Sequence, residues 1–330
     1  MNTHKLAAAV VAVTTMAVLL VGIASAKSFS AWAPAQKIDE IGGNSAELNT
    51  AALDGCPIQS PDGLSLYMAS NRQPGGHGLL DIWVAHRSSV DEPWGAPVNL
   101  PAPINSAADD FCPTPVRGKG LFFVSRKVVS GLTCGLGDIY FSRLNPAHGW
   151  SDPEHLACAP VGPNTALDEQ GPSYFEANGS GQLYFSSSRV AAQGGFVPGD
   201  IYRSAEGADG TFGPASLVSE LGGTTAAAMP ANDIQPNVRK DGREVVFSSD
   251  RSDTLGGQDV YVATRDSAAD PWSPPINVGA AVNSGAGETR PSLSWHGEQL
   301  LFGRAGPVGT GEGGTGASDI YVTTREKNGE

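Results

Sequence analysis

The sequence predicts an all-β protein: a single five-bladed β-propeller of four-stranded antiparallel blades, closed by an N-terminal strand that pairs with the last blade. Three observations support this prediction: a pattern that occurs five times, a composition rich in turn residues, and incomplete repeats at the two ends that complement each other. The 330 residues include 42 glycines and 24 prolines. This frequency is well above the usual usage of these residues and excludes a mainly helical protein.

The clearest repeated landmark is an aspartate followed by an aliphatic and an aromatic residue, at intervals of 57 to 62 residues. A fixed period of this kind is typical of propellers and other repeat architectures. We expect each copy to form the third strand of a blade, with its aspartate fixing the glycine-rich loop before it. The five copies begin at Asp81, Asp138, Asp200, Asp259 and Asp319.

Two further landmarks predict the other strands. An inner proline, followed by a turn and an apolar run, indicates the first two strands of each blade. The inner prolines are Pro57, Pro113, Pro172, Pro236 and Pro291. An aromatic residue two or three positions before another proline indicates the fourth strand. These aromatic residues are Trp32, Trp94, Trp150, Phe212 and Trp272. Such meanders, repeated radially, form a propeller.

The ends of the chain predict how the ring closes. The last repeat stops after residues 319–325 without a fourth strand, whereas the mature N-terminus begins with an unpaired one at 28–38. Pairing them would complete the fifth blade and remove two sheet edges that otherwise promote aggregation. We therefore expect one propeller domain at 27–326, with a short C-terminal tail at 327–330.

The repeats resemble the WD40-like β-propeller repeat of the TolB type. The matching segments are Ser60-Pro61-Asp62-Gly63, Phe247-Ser248-Ser249-Asp250-Arg251 and Gly256-Gly257-Gln258-Asp259-Val260-Tyr261. The resemblance extends over nearly all of the mature chain and implies the propeller fold. It implies no particular function, because propellers serve as binding modules, scaffolds and enzymes.

Residues 1–26 have the pattern of a signal peptide. His4 and Lys5 precede an apolar run at 6–23, and Ala24-Ser25-Ala26 is a small-residue cleavage site. The alternative is an uncleaved anchor, because the run is almost long enough to span a bilayer. We expect a secreted or periplasmic protein that is not inserted in a membrane once the signal is cleaved.

The four cysteines follow the predicted signal peptide, and an even number in an exported protein favours disulfides. Cys56 and Cys112 occupy the same position, just before the inner proline, in adjacent blades. Cys134 lies in a long loop of the second blade, and Cys158 follows the last strand of that blade. We expect the pairs Cys134–Cys158 and Cys56–Cys112.

The charge excludes some classes of partner. The chain has 21 basic and 34 acidic residues, a formal net charge of −13. Nucleic acids and anionic lipids need a lysine- and arginine-rich surface, so we expect neither as a partner. No nucleophile-elbow motif occurs in a strand–turn–helix context, and the histidines show no metal-binding spacing. We expect a monomer.

Five carboxylates, which we call the rim carboxylates, are candidates for chemistry. Each lies three residues before an inner proline, where the chain enters the strand that lines the axial channel. They are Asp54, Asp110, Glu169, Asp233 and Glu288. We expect each to accept hydrogen bonds from loop amides and fix a turn. Two alternatives remain open: a calcium site on the axis, and a glycosidase that uses two of the five as its catalytic pair.

Five arginines near the ends of the second strands form another set. They are Arg72, Arg126, Arg189, Arg251 and Arg304. One interpretation is that salt bridges from these arginines brace adjacent blades. The other is that they bind an anion or a carboxylated sugar, since a guanidinium matches such groups in a bidentate manner.

These features predict an exported, non-catalytic binding module for a protein or saccharide ligand, with the rim residues as its axial binding site. The alternative is an extracytoplasmic carbohydrate-active hydrolase or lyase with its site at the axial face. The sequence leaves enzymatic activity open, although it favours a protein that is not an enzyme. We expect no cofactor unless calcium occupies the axis.

Overall fold

A computed structural model of the chain describes residues 29–177, 179–188, 198–305 and 318–328. These ranges contain five antiparallel sheets, and the helical structure in them is limited to three-residue 3-10 helices at Ile38–Glu40, Ala46–Leu48 and Ser219–Leu221. The prediction of an all-β, five-bladed propeller is confirmed. The predicted signal peptide lies outside the described residues. No helix within the described ranges is long and apolar enough to cross a membrane.

The strands follow the order that the repeats predict, with β1 (Gln36–Lys37) belonging to the last blade. Blade 1 contains β2 (Asp54–Gln59), β3 (Ser65–Ser70), β4 (Asp81–His86) and β5 (Val98–Asn99). Blade 2 contains β6 (Asp110–Val116), β7 (Gly120–Ser125), β8 (Asp138–Asn145) and, both paired with β8, β9 (Gly149–Trp150) and β10 (Glu154–His155). Blade 3 contains β11 (Glu169–Ala177), β12 (Ser180–Ser187), β13 (Asp200–Ala205) and β14 (Ser216–Leu217).

Blade 4 contains β15 (Ile234–Val238), β16 (Glu244–Ser249), β17 (Asp259–Thr264) and β18 (Ile276–Asn277). Blade 5 contains β19 (Gly287–Leu293), β20 (Gln299–Ala305) and β21 (Ser318–Thr324), and β1 is its outer strand. In the β1–β21 pair, Gln36 lies opposite Val322. The amide of Ala33 also donates to the carbonyl of Thr324 at 2.8 Å. The predicted closure of the ring is confirmed, and β21 is not left as a free edge.

The hydrophobic core lies between neighbouring blades, and it explains why an aromatic residue recurs in the third strand. In four blades a phenylalanine of the second strand stacks on or beside the tyrosine opposite it, with ring centroids 5.9 to 6.3 Å apart. The pairs are Phe123–Tyr140, Phe185–Tyr202, Phe247–Tyr261 and Phe302–Tyr321. These rings are almost completely buried in most cases, and burial of such large side chains is a dominant source of core stability.

The first strand of every blade contains a β-bulge just before the inner proline. The residue at this position has a left-handed φ of 48 to 57° in all five blades. These bulge residues are Cys56, Cys112, Gly171, Gln235 and Arg290. A bulge turns the strand and redirects the following side chains. The strand register shifts at this point in every blade, which residue spacing alone did not predict.

A buried asparagine connects each of four blades to the blade before it. The amide of Ile82 in β4 donates to Asn105 Oδ1 at 2.8 Å, and Asn105 Nδ2 donates to the Ile82 carbonyl at 2.9 Å. The side chain thus pairs with the third strand of the preceding blade as another strand would. We call these residues the latch asparagines: Asn49, Asn105, Asn164 and Asn283.

Two predicted details of the loops are confirmed. Cys56 is joined to Cys112 and Cys134 to Cys158. The aspartate that begins the third strand accepts hydrogen bonds from the loop before it: the amide of Cys134 donates to Asp138 and the amide of Leu255 donates to Asp259. These contacts shape the loop between the second and third strands.

The latch predicts a large effect of one substitution. Asn283 accepts from the Val260 amide and donates to the Val260 carbonyl at 3.0 Å. Asn283→Ala leaves the buried Val260 amide without a partner, whereas the Val260 carbonyl still accepts from the Val278 amide at 3.2 Å. The free energy of unfolding should therefore fall by about 1–3 kcal/mol. Urea denaturation measures this loss.

The matched control is Ser284→Ala, which removes only the hydroxyl that donates to Glu288. It should cost about 0.5–1.5 kcal/mol. Equal unfolding midpoints for the two variants would contradict the assignment of a latch.

Candidate functional site

The axial channel is nearly filled by the protein. Its cavity is about 30 Å³ and is lined by the bulge residues, the inner prolines and the residues that follow them. A single water molecule needs roughly 10–15 Å³ by this kind of measure. Only a small group can therefore enter the axis, and a larger ligand would have to lie over the face of the propeller.

The five rim carboxylates are buried, with at most 1% of each residue exposed. Asp54 accepts hydrogen bonds from the Thr50 amide and hydroxyl at 2.7 and 2.8 Å. Equivalent hydrogen bonds reach the rim carboxylates of blades 2, 3 and 5 from Ser106, Thr165 and Ser284. Blade 4 has Ala228-Met229 where the other blades have a latch asparagine followed by serine or threonine. There the Gly223 amide donates to Asp233. These contacts agree with the interpretation that each rim carboxylate accepts hydrogen bonds from loop amides and fixes a turn.

The rim carboxylates point into their own turns and do not form a shared cluster. Across the described ranges, the only group of three metal-ligating side chains with atoms within 4.8 Å of one another is Cys134, His155 and Cys158. The two cysteines of that group are joined in a disulfide. The rim carboxylates therefore form no such group of three among the described residues. The two alternatives raised from the sequence, a calcium site and a catalytic pair drawn from the rim carboxylates, stay predictions.

Three of the four described arginines brace their own blades, whereas one interpretation predicted bracing between adjacent blades. Arg251 Nη2 lies 2.5 Å from Asp233 and 2.8 Å from the Leu221 carbonyl in the segment that enters the same blade. Arg304 contacts Glu288 at 2.7 Å, and Arg72 contacts Asp54. The second strand of each of these blades is thereby tied to the turn before the first strand. Arg189 lies outside the described residues.

Arg126 departs from this pattern. Its Nη1 lies 3.3 Å from Asp109 in blade 2, and its Nη2 lies 3.2 Å from Asp168 at the entrance to blade 3. Asp110, the rim carboxylate of its own blade, keeps only hydroxyl and amide partners such as Ser106 and Ser125. Burial, together with the negative charge of Asp81, raises the pKa of Asp110 above its usual value.

Asp109 and Asp168 form a carboxylate pair that the sequence analysis missed. Their side chains are 16% and 18% exposed, whereas the rim carboxylates are fully covered. The Leu80 amide donates to Asp109 at 3.0 Å, and Gln170 Nε2 donates to Asp168 at 2.5 Å. The repeats contained a signal for this pair, because blades 2 and 3 have an aspartate just before the rim carboxylate and the other three blades do not. Those three blades have Leu53, Asn232 and Gly287 at this position.

Arg290, also missed, lines the axial channel at the bulge of blade 5. Burial and the positive charge of Arg126 lower the pKa of Arg290 to about 10. The two guanidiniums lie near each other, because Arg126 Cζ is 5.0 Å and Arg290 Cζ is 5.9 Å from the centroid of the same Phe111 ring. Together with Asp109 and Asp168, they give this face charged groups that do not repeat around the ring.

A second cavity, the blade 2–3 groove, opens between these two blades with a volume of about 330 Å³. Its aromatic lining includes Phe122, Phe141, Tyr174 and Phe212, with centroid distances from Phe122 of 4.5 to 5.6 Å. The Tyr174 hydroxyl donates to Glu206 at 2.8 Å. Burial and this carboxylate raise the Tyr174 pKa.

The blade 2–3 groove is also a place where the repeat is broken. At the position of Glu206, blades 1, 4 and 5 have an arginine stacked on the tryptophan that precedes the fourth strand, at 3.9 to 4.2 Å. The stacked pairs are Arg87–Trp94, Arg265–Trp272 and Arg325–Trp32. Glu206 does not stack on an aromatic ring as these arginines do, and the cavity lies at this position of blade 3.

Comparison with known proteins identifies relatives by fold but not by sequence. No family model and no curated protein matches the chain. A thermostable family-43 glycoside hydrolase matches with a TM-score of 0.52 at 12% identity, covering 86% of this chain and 92% of that one. An α-L-arabinofuranosidase from Lactobacillus brevis gives 0.53 at 15%, covering 84% and 91%. An α-L-arabinofuranosidase from Podospora anserina, in complex with cellotriose, gives 0.51 at 12%, covering 91% and 98%.

These likenesses establish the propeller fold and correct the functional prediction. The prediction of a non-catalytic binding module is wrong, because the solved structures that share this fold are described as glycoside hydrolases. The five-bladed propeller is confirmed, whereas membership of the TolB-type repeat family is not.

The arginine of blade 2 does not contact the rim carboxylate of its own blade. This difference from the other blades predicts that two variants depend differently on pH. Because the pKa of Asp110 is raised above the ~3.9 of an unfolded aspartate, the folded protein holds this proton more tightly. Ionisation of Asp110 therefore costs stability as the pH rises through that window. Relative to wild type, Asp110→Asn should gain stability between pH 4 and pH 7 in urea denaturation.

Asp54→Asn is the matched comparison, because it breaks a buried ion pair with Arg72. It should lose about 3 kcal/mol or more at pH 7. Parallel pH profiles for the two variants would show that Arg126 is not the cause of the difference.

Proposed function

We propose that this protein is a carbohydrate-active hydrolase that cleaves a glycosidic bond at the axial face, with Asp109 and Asp168 as its carboxyl pair. The observation that carries this proposal is that both side chains, on adjacent blades, contact opposite nitrogens of the Arg126 guanidinium. They are partly exposed at a face where the rim carboxylates are covered.

Glycoside hydrolysis needs two carboxyl groups that flank one bond, one acting as acid and the other as base or nucleophile. Catalytic pairs of this kind are ~5–9.5 Å apart, and two groups bound to one guanidinium are compatible with that range. A sugar that displaces Arg126 from one carboxylate would leave the two in different electrostatic surroundings. Such a difference is what separates the roles of acid and base.

Two further features agree with this proposal. The solved structures that share the fold are described as glycoside hydrolases and arabinofuranosidases. The two disulfides fit a protein that acts outside the cytoplasm, so we retain export through the segment 1–26 as part of the proposal. The TolB-type ancestry of the repeats likewise remains a proposal that rests on their sequence motifs.

The test is hydrolysis of a panel of aryl glycosides and plant polysaccharides by the mature chain. Asp109→Asn and Asp168→Asn should each lower kcat/KM by at least about 100-fold, because each removes an acid–base or nucleophilic group. Asp152→Asn, an exposed aspartate in the same blade, should leave the rate unchanged.

Glu206→Gln distinguishes the axial face from the blade 2–3 groove. If the rate survives in Asp109→Asn and Asp168→Asn but is lost in Glu206→Gln, the site lies in the groove and the assignment of the catalytic pair is wrong. If wild type hydrolyses no glycoside on the panel, the proposed activity itself fails.

A further inference from the structure

Arg290 occupies a position at which the fold needs no side chain. In blade 3 the bulge residue is Gly171, so glycine is sufficient for the left-handed φ, which is 57° there and 56° at Arg290. A residue with a side chain is strained in this conformation. A side chain at a bulge position therefore has a role that offsets this cost.

The other bulge side chains have identifiable roles. Cys56 and Cys112 form the disulfide on the axis. Gln235 Oε1 accepts from the Arg290 amide at 3.2 Å, and Gln235 Nε2 donates to Gln170 at 3.3 Å. In contrast, the Arg290 guanidinium has no hydrogen-bond acceptor or ion-pair partner among the residues that the structure describes.

The Arg290 side chain lies near an aromatic ring and another positive charge, and the Ser318 hydroxyl is close to the same part of blade 1. Its Nη1 lies 3.3 Å from the position that a Cβ on Gly55 would take, and its Cζ lies 5.9 Å from the centre of the Phe111 ring. The charge of Arg126 opposes it, which together with burial lowers the pKa of Arg290. Arg290 is only partly covered, so an anion can reach this cation and gain a strong charge-assisted interaction.

The size of the cavity limits what that anion can be. About 30 Å³ accommodates two water molecules at most, at roughly 10–15 Å³ each. A planar carboxylate fits this space and matches a guanidinium through two parallel hydrogen bonds. A tetrahedral phosphate is bulkier and fits neither the volume nor the planar geometry as well.

We propose that Arg290 binds the carboxylate of an acidic sugar, so that the protein recognises uronic-acid units of a saccharide at its axial face. This inference rests on the proposed function, since it names the substrate class of the same site. The carboxylate enters the channel mouth, and the sugar ring lies over the face next to Asp109 and Asp168. Arg126, at the same face, adds positive charge to attract the ligand.

The test is calorimetric titration of the mature chain with glucuronate, glucose, acetate and inorganic phosphate. Glucuronate should bind at least about 10-fold more tightly than the other three, because only it offers both a carboxylate and a ring. Arg290→Gln should weaken glucuronate binding by about 10- to 100-fold, the worth of hydrogen bonds to a charged group.

The fold supplies its own control for this variant, because blade 4 carries glutamine at the equivalent position, Gln235. Arg290→Gln should therefore fold, which its melting curve checks. Arg290→Lys keeps the charge but loses the planar fork, and its affinity should fall between those of Arg290→Gln and wild type. Arg143→Gln, which removes an exposed arginine with a weak ion pair at 3.6 Å, should bind glucuronate as wild type does.

Equal glucuronate affinity in wild type and Arg290→Gln would overturn the inference, as would phosphate or acetate binding as tightly as glucuronate. These outcomes differ from a failure of the proposed function. Hydrolysis of neutral glycosides with no preference for acidic ones would leave the hydrolase intact and remove the uronate site. Arg290-dependent glucuronate binding without hydrolysis of any glycoside would support the uronate site and contradict the proposed hydrolase.

Discussion

The pairing of a buried asparagine side chain with the backbone of the preceding blade is the interaction on which the ring depends. Each latch asparagine accepts from one amide of a third strand and donates to the carbonyl of the same residue, so a side chain of one blade is bonded to the backbone of another. Asn49 makes this contact with Ile320, so the first blade is joined to the last by the same device that joins its neighbours. The following serine or threonine holds the rim carboxylate, and the rim carboxylate fixes the turn into the first strand. The connection between blades and the shape of the axial face are therefore set by one short motif.

Because this motif recurs, contacts that recur with it are structural, and the axial groups that differ between blades are the candidates for function. The rim carboxylates recur and are buried. The residues just before them differ, and so do the bulge residues, which all share one backbone conformation. Asp109, Asp168 and Arg290 belong to these two variable positions, and all three lie where the first strands enter the axis. Comparison of the repeats therefore separates structural contacts from candidate functional groups, which a single copy of the motif would not allow.

The sequence predicted the number of blades, the closure of the ring and both disulfides, since each depends only on the order and spacing of landmarks along the chain. It did not predict the bulge, because a one-residue shift in register leaves no trace in residue spacing yet redirects the side chains after it. For the same reason the glutamine and arginine before Pro236 and Pro291 could not be placed on the axis. The rim carboxylates were found but interpreted ambiguously, because their burial follows from hydrogen bonds to neighbours whose direction is set only in the folded state. Arg126 was grouped with arginines that it resembles in position but not in contacts.

The different contacts of Arg126 connect the stability of blade 2 to the proposed site. In blades 1, 4 and 5 the equivalent arginine compensates the buried rim carboxylate of its own blade. In blade 2 the arginine turns to Asp109 and Asp168, and Asp110 stays buried without that compensation, with a raised pKa. A residue with a structural role in other blades has been diverted to an exposed pair of carboxylates at a cost to its own blade. Selection for stability alone would favour the pairing seen in the other blades, so the departure supports a functional role for Asp109 and Asp168.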